Sequence, residues 1–290
     1  MITSSIGRIT IATFIAALLL VPQVTGVAAQ TTEIEAPHWI IYDVSNERVL
    51  AGEQMHEPVP LASLTKMMTA LLVVEHIPME DEITIVEEDQ VGEASIWAEA
   101  DDTFTVRTLL HGLLMRSGND AASALARAVG GSPDEEDALA RARFTAMMNI
   151  KAQRLGMSQT SFENPHGLDG DGQYSSAYDL MLLTKEAMKH SELMDAMGAE
   201  LYSGEGFDFG HTNQLPDLYD GVLGGKTGWT TNAGLCLIQI VEKDGRTLIV
   251  VLLGSTFERW YADAIDLLDY GWKLPTILRS NQDFGPIQWN

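Results

Sequence analysis

Cysteine and basic residues are scarce in this sequence, and each scarcity excludes a class of protein. Cys236 is the one cysteine among 290 residues, so an internal disulfide framework or a cysteine-based zinc site cannot form. The sequence has 18 lysines and arginines but 41 aspartates and glutamates, which gives a net charge of −23. Because nucleic acid is a polyanion, so acidic a chain repels it. The sequence indicates no metal and no cofactor.

Long apolar runs are also missing, except near the N terminus. Residues 9–21 are apolar and uncharged, Arg8 precedes them, and Val27-Ala28-Ala29 supplies small residues for a cleavage site. A transmembrane anchor is the alternative, but the run is short for a span of about 20 residues and Pro22 follows it. We therefore expect residues 1–29 to be a cleaved signal peptide and the mature protein to be secreted across the cytoplasmic membrane.

The remaining sequence has the composition of a globular protein. Hydrophobic residues make up 46% and charged residues 20%, which argues against general disorder. We expect one domain over residues 30–275 and a short tail over residues 276–290. The tail has no sustained helical apolar stripe, so we expect neither an anchor helix nor a second β domain there.

Strand-forming and helix-forming segments occupy different parts of the domain. Strands are predicted at 38–44, 48–51, 235–241 and 247–253. Helices are predicted at 64–77, 106–116, 120–129, 134–155, 176–190 and 259–269. This order predicts an α/β (α+β) fold in which an antiparallel sheet of N- and C-terminal strands packs against a helical subdomain.

Ser63-Leu-Thr-Lys66 lies at the start of the predicted helix 64–77. Residues i and i+3 share a helix face, so the Ser63 hydroxyl and the Lys66 amine can come within hydrogen-bonding distance. A serine hydroxyl becomes a good nucleophile when a neighbouring base takes its proton, and a buried lysine can be that base. The alternative is structural: Ser63 caps the helix and Lys66 extends to solvent.

Two further short motifs follow, each weak by itself. Ser117-Gly-Asn119 separates two predicted helices, and Lys226-Thr-Gly228 precedes the predicted strand 235–241. The first triplet is typical of a turn, and the second is compatible with any strand edge. Together with Ser63-x-x-Lys66, in this order, they form the motif set of penicillin-binding proteins and class A β-lactamases.

Longer blocks extend this resemblance over residues 38–273. They include Pro60-Leu-Ala-Ser-Leu-Thr-Lys-Met-Met-Thr69, Asn164-Pro-His-Gly-Leu-Asp169 and Gly225-Lys-Thr-Gly-Trp-Thr-Thr-Asn-Ala-Gly234. The chain resembles low-molecular-mass penicillin-binding proteins of the D-alanyl-D-alanine carboxypeptidase family. The resemblance implies a β-lactamase/DD-peptidase-like fold over 30–275 and an enzyme outside the cytoplasmic membrane. Many members of the family add a second β domain and an anchor helix; we expect neither here, and so expect a soluble enzyme with no stable membrane anchor.

The same resemblance implies roles for the motif residues. Ser63 would be the acylated nucleophile and Lys66 its base, while Ser117 and Asn119 would relay protons and hold the substrate amide. The substrate carboxylate would be bound by Lys226 and Thr227, and the peptide would lie along the strand edge formed by residues 226–229. Gly228 and Trp229 belong to that edge, and the backbone N–H groups of Ser63 and Trp229 would form the oxyanion site.

The implied substrates are peptidoglycan stem peptides ending in D-Ala-D-Ala, with β-lactams as covalent inhibitors. A DD-endopeptidase that cleaves cross-links would use the same site and stays open. A serine β-lactamase is disfavoured because no Glu-x-x-x-Asn pattern occurs between Asn119 and Lys226. A catalytically silent wall-binding protein is disfavoured because the three motifs are intact.

Several other residues have a functional and a structural interpretation. Arg259 is a candidate for the substrate carboxylate, although it lies one residue further from the following Leu-Leu pair than the family's arginine does. His166 and Asp169 could form a catalytic pair but are predicted to be structural. Cys236 is predicted to be a buried strand residue. The acidic runs 80–82, 87–89 and 134–137 are predicted to be solvated.

Overall fold

The computed structural model describes residues 34–131 and 136–275, all of which belong to one compact unit. The strands are β1 (His38–Asp43), β2 (Arg48–Glu53), β3 (Glu82–Thr84), β4 (Thr103–Thr105), β5 (Leu201–Gly204), β6 (Phe207–Gly210), β7 (Val222–Thr230), β8 (Gly234–Lys243) and β9 (Arg246–Ser255). The helices are α1 (Lys66–His76), α2 (Val106–Met115), α3 (Asn119–Gly130), α4 (Asp137–Leu155), α5 (Ala177–Ala187), α6 (Ser191–Gly198), α7 (Leu215–Leu218) and α8 (Trp260–Lys273). The predicted signal peptide and tail, 1–29 and 276–290, lie outside the described residues.

A five-stranded antiparallel sheet joins the two ends of the domain. Its strand order is β2-β1-β9-β8-β7, so the N-terminal hairpin pairs directly with the C-terminal strands. Asp244 and Gly245 turn β8 into β9 with φ of 53° and 75°, the left-handed conformation that tight hairpins require. The predicted fold class is therefore confirmed, and β7 lies at an edge of this sheet.

Helix α1 lies in the centre of the core. Its first eight residues, Lys66–Val73, are all buried, as the nearly all-round apolar sequence predicts. Its neighbours include α2, α3 and α5, and α5 in turn packs on β1 and β9. Within residues 34–131 and 136–275, no helix has both the length and the apolar character needed to cross a membrane.

The prediction from sequence misses the short strands and the break between two helices. The two-stranded pairs β3–β4 and β5–β6 have strands of three or four residues, too short for an alternating pattern to stand out. The predicted helix 176–190 ends at Ala187, and α6 follows as a separate helix. Ser63 lies in a 3₁₀ turn, Ala62–Thr65, which leads directly into α1.

Asp89 corrects the prediction that residues 87–89 form a solvated face. Its carboxylate is fully buried and accepts hydrogen bonds from Arg127 at 2.7 Å, Arg141 at 3.0 Å and the Ser123 hydroxyl at 3.2 Å. A buried charge needs partners of this kind. Ser123 and Arg127 belong to α3, and Arg141 belongs to α4. Through these hydrogen bonds Asp89 links the turn Glu87–Asp89 to both helices.

Candidate active site

The Ser63 side chain occupies a turn on which two other segments converge. Ala62, just before it, has a left-handed φ of 50°. A Cβ on Gly167 would lie 2.1 Å from the Ala62 carbonyl oxygen, and a Cβ on Gly228 would lie 3.0 Å from Ser63 N. Side chains at these two positions would separate the segments. Glycine therefore lets the segment around Gly167 and strand β7 approach the Ser63 backbone closely.

Lys66, the first residue of α1, is fully buried beside Ser63. Its Nζ lies 2.9 Å from Ser63 Oγ, 2.7 Å from Asn119 Oδ1 and 2.5 Å from the His166 carbonyl oxygen. Burial, and then the charge of Lys226, lower the pKa of Lys66 well below that of an ordinary lysine. A neutral amine fits these contacts: it donates two hydrogen bonds, to Asn119 and His166, and offers its lone pair to the Ser63 hydroxyl.

Ser117 and Asn119 lie where α2 gives way to α3. Ser117 has a left-handed φ of 61°, and Asn119 is the buried first residue of α3. The Asn119 side chain is held at both ends, since its Oδ1 accepts from Lys66 and its Nδ2 donates to the Gly92 carbonyl at 2.7 Å. These bonds fix the orientation of the amide beside the lysine.

Lys226 and Thr227 reach the same cluster from β7. Lys226 Nζ donates to Ser117 Oγ at 3.0 Å and to the Thr227 carbonyl at 2.7 Å. Burial lowers the pKa of Lys226 to about 7. The Thr227 hydroxyl lies 3.2 Å from that of Thr212, a residue that the sequence did not single out. Two buried lysines, Lys66 and Lys226, therefore share one hydroxyl-lined site.

Gly228 and Trp229 continue β7 past the site. This edge strand pairs with β8 on one side and with no other strand among residues 34–131 and 136–275. Trp229 is half-exposed, and its ring lies 6.0 Å from that of the exposed Phe257. An open edge of this kind can accept a peptide in an extended conformation.

The segment Glu163–Gly170, here the connector, holds α1 through its main chain. The His166 carbonyl accepts from Lys66, and the Pro165 carbonyl accepts from the Thr69 hydroxyl at 2.6 Å. The imidazole of His166 is not paired with Asp169, whose carboxylate accepts from Thr230. Burial and the Lys66 charge lower the pKa of His166 to about 4. The structure favours the structural interpretation of both residues.

The ion pairs of Arg259 are made with residues outside the cluster around Ser63 and Lys66. Its guanidinium lies 3.1 Å from Asp263 and 2.9 Å from Asp266, both in helix α8, which begins at the next residue. Cys236 is buried opposite Gly228 in the β7–β8 ladder, as predicted for a strand residue. Burial raises the pKa of its thiol to about 12, so it is a poor nucleophile.

One group of side chains among the described residues has the spacing of metal ligands. Ligand atoms of Glu75, Glu186 and His190 lie within 4.8 Å of one another. Both carboxylates already have ammonium partners, Lys151 for Glu75 and Lys189 for Glu186. The group is therefore explained as a set of ion pairs.

Comparisons with known proteins agree with this geometry. A family model described as D-alanyl-D-alanine carboxypeptidase matches residues 25–256. The D-alanyl-D-alanine carboxypeptidase DacF of Bacillus subtilis is 35% identical over 255 residues, which cover 83% of this chain and 64% of that relative. The chain thus spans slightly less than two thirds of this relative's length.

Two other matches cover most of this chain and most of the matched protein. The D-alanyl-D-alanine carboxypeptidase DacB2 of Mycobacterium tuberculosis is 30% identical over 250 residues, covering 82% of this chain and 83% of that relative. The crystal structure of the Streptomyces K15 DD-transpeptidase superposes with a TM-score of 0.81 at 27% identity, covering 83% of this chain and 98% of that one.

Proposed function

Since the chain belongs to the D-alanyl-D-alanine carboxypeptidase family, we propose that it is a serine-type peptidase of the bacterial cell wall. Its substrates would be peptidoglycan stem peptides ending in D-Ala-D-Ala, from which it removes the last residue. Penicillin would acylate the same serine. The observation that carries the proposal is the buried Lys66 amine 2.9 Å from Ser63 Oγ.

In the acylation step, Lys66 takes the Ser63 proton as Oγ attacks the carbonyl carbon between the two D-alanines. The C–N bond breaks as the leaving D-alanine nitrogen takes the Ser117 hydroxyl proton, Ser117 is reprotonated by Lys226, and the proton held by Lys66 passes back to Lys226, so that Lys66 is neutral again. Ser63 then carries the shortened peptide as an ester. In the second acyl transfer Lys66 takes a proton from water as the water oxygen attacks the ester carbon, the C–O bond to Ser63 breaks, and the same proton passes from Lys66 to Ser63 Oγ.

The oxyanion of each tetrahedral intermediate would be bound by the backbone N–H groups of Ser63 and Trp229. The close approach of β7 at Gly228 supports this assignment, because it brings the two backbone segments together. Donors held in place before the reaction stabilise the developing charge without reorganisation.

The peptide would lie along β7, with its terminal carboxylate at Lys226 and Thr227. The open sheet edge supports this binding mode, and Asn119 would hold the substrate amide from the opposite wall. Arg259 stays in the proposal as a second carboxylate contact. To make it, the guanidinium would exchange its ion pair with Asp266 for one with the substrate.

We further propose that residues 1–29 direct export and that the enzyme works outside the cytoplasmic membrane, in the periplasm or an equivalent compartment. The support is the N-terminal sequence pattern together with a peptidoglycan substrate. On this proposal, residues 30–275 form the catalytic domain and residues 276–290 its tail.

Product analysis tests the proposed reaction. The purified protein is incubated with a pentapeptide ending in D-Ala-D-Ala and, separately, with a cross-linked dimer of stem peptides. We expect release of free D-alanine from the pentapeptide, and none from a Ser63→Ala variant. Cleavage of the dimer with no D-alanine release would replace the carboxypeptidase proposal with the endopeptidase alternative.

A further inference from the structure

A loop between β3 and β4 forms one wall of the Ser63 site. We call Val91–Asp101 the rim loop. Its Ala94 carbonyl accepts from Asn119 N at 2.9 Å, and its Gly92 carbonyl accepts from Asn119 Nδ2 at 2.7 Å. The buried Asp120 carboxylate accepts from Ile96 N at 3.0 Å. The rim loop is thus fixed to the residue whose side chain contacts Lys66.

The rim loop holds three non-glycine residues in the left-handed region. These are Glu93, Trp97 and Asp101, with φ of 77°, 66° and 73°. Such a conformation is unfavourable for residues with a Cβ and persists where surrounding contacts determine it. The hydrogen bonds to Asn119 and Asp120 are contacts of that kind, so the backbone at Glu93 has a defined position.

Glu93 lies between the two carbonyl groups that bind Asn119. It is exposed, and its carboxylate makes no hydrogen bond or ion pair within residues 34–131 and 136–275. The negative charge of Glu93 nevertheless acts to raise the pKa of Lys66, although burial and the charge of Lys226 lower that pKa by more. An exposed acidic residue whose neighbours are bonded to Asn119 thus lies within electrostatic range of Lys66.

The charges of the site are arranged by depth. Two lysines, Lys66 and Lys226, lie buried inside, while Glu93 lies at the exposed mouth. A peptide extended along β7 has its carboxylate inside and its free backbone edge toward Asn119, and its side chains alternate above and below the sheet. A long side chain on the acyl side can therefore extend toward the rim loop, which is bonded to Asn119. An ammonium group on such a side chain would meet the charge of Glu93, whereas deeper in the site it would meet two lysines.

We propose that Glu93 is a specificity residue that binds an ammonium group on the acyl side of the cleaved bond. The inference rests on the proposed function, and it names the substrate class as peptides whose side chain near that bond is cationic. The contact is an exposed ion pair, so its effect is modest: about two- to fivefold in kcat/KM at low ionic strength. At about 1 M salt it should vanish, because screening then acts over about 3 Å.

Matched substrates test this inference. The first pair is Nα-acetyl-Lys-D-Ala-D-Ala and its Nε-acetylated form, which differ in one positive charge. The second pair is ampicillin and benzylpenicillin, compared by acylation rate at a pH that keeps the ampicillin amine protonated. The enzymes are wild type, Glu93→Gln, Glu93→Lys and the control Glu99→Gln, which neutralises another exposed acid of the rim loop.

We expect the wild type and Glu99→Gln to prefer the ammonium member of each pair by about two- to fivefold. The ratio should fall to about 1 in Glu93→Gln and below 1 in Glu93→Lys. A Glu93→Gln ratio equal to that of wild type, or no wild-type preference in either pair, overturns the inference.

Equal hydrolysis of both peptides leaves the carboxypeptidase proposal intact. If penicillins acylate the protein but neither peptide is hydrolysed, that proposal fails and the penicillin ratio decides the role of Glu93. No reaction in any arm overturns both.

Discussion

At the scale of single residues, the chemistry depends on the protonation state of Lys66. A charged lysine can donate to Ser63 but cannot take its proton, whereas a neutral one can. Burial within the core and the charge of Lys226 both favour the neutral amine and so lower the pKa of Lys66. The carbonyl of His166 and the amide oxygen of Asn119 then accept its two N–H groups. The residues around Lys66 thus orient its lone pair toward Ser63.

Lys66→Arg tests whether this amine is the base. Arginine is similar in length to lysine but stays protonated at any accessible pH, so it cannot accept the Ser63 proton. We expect the rate constant for acylation by benzylpenicillin to fall by about 10²- to 10⁴-fold, the usual contribution of a general base. The measurement is stopped-flow or quenched-flow acylation, with the exposed Lys189→Arg as the control.

The pH dependence of acylation gives the same test a second readout. The neutral fraction of Lys66 grows as pH rises through its pKa, so the wild-type rate should first increase with pH, well below the pH at which an ordinary lysine titrates. At higher pH the rate should fall as Lys226, whose pKa burial lowers to about 7, loses the charge that binds the carboxylate. A Lys66→Arg variant that acylates within tenfold of wild type would remove the amine from the mechanism.

At the scale of elements, the site exists because three segments approach one another closely. The connector meets the 3₁₀ turn at Gly167, and β7 meets the same turn at Gly228. Gly167 has a φ of 95°, so both its conformation and the space around it disfavour a side chain. This contact sets the position of the turn that carries Ser63.

Gly167→Ala should therefore harm both stability and activity. The added Cβ would lie 2.1 Å from the Ala62 carbonyl oxygen. Left-handed strain and overpacking together should lower the free energy of unfolding by about 2–5 kcal/mol. We also expect slower acylation by benzylpenicillin, because the Ser63 turn must shift. Denaturant titration and acylation kinetics check the two effects.

Gly156→Ala is the matched control, since Gly156 also has a left-handed φ, 78°, but no atom within 4 Å of its Cβ position. It should cost about 1–2 kcal/mol of stability and leave acylation unchanged. Equal effects of the two substitutions on acylation would show that the connector does not position the nucleophile.

The sequence predicts elements well where one pattern persists over many residues. The all-round apolar run of α1 and the strands β8 and β9 are long enough to be identified, and the three motifs locate side chains that the fold brings together around Lys66 and Lys226. The strands β3 and β4 are too short to show such a pattern, and the shape of the rim loop follows from its contacts with Asn119 and Asp120. Asp89 is similar: the run Glu87–Asp89 looks uniformly polar, and only the packing of α3 and α4 singles out one carboxylate for burial.

At the scale of the whole molecule, the scarcity of basic residues has a structural consequence. Several arginines neutralise buried aspartates: Arg246 pairs with Asp43, and Arg127 and Arg141 pair with Asp89. Such pairs are needed where a carboxylate is buried. Arginines engaged in this way contribute little to the surface, whose charge is therefore dominated by acids.

The buried lysines of the site contrast with this acidic exterior. The net charge of −23 disfavours anions in general, whereas a protonated Lys226 would give the Ser63 site a local preference for a carboxylate. A single location in a strongly acidic molecule should therefore react with penicillin, which is an anion itself.

The mass of the whole chain after exposure to benzylpenicillin tests the central claim most directly. We predict the addition of one penicilloyl group per chain, located by peptide mapping on Ser63. The adduct should be absent from Ser63→Ala and present in Ser158→Ala, which removes an exposed serine outside the site. An adduct that persists in Ser63→Ala, or that maps to another residue in the wild type, would contradict the assignment of Ser63 as the nucleophile.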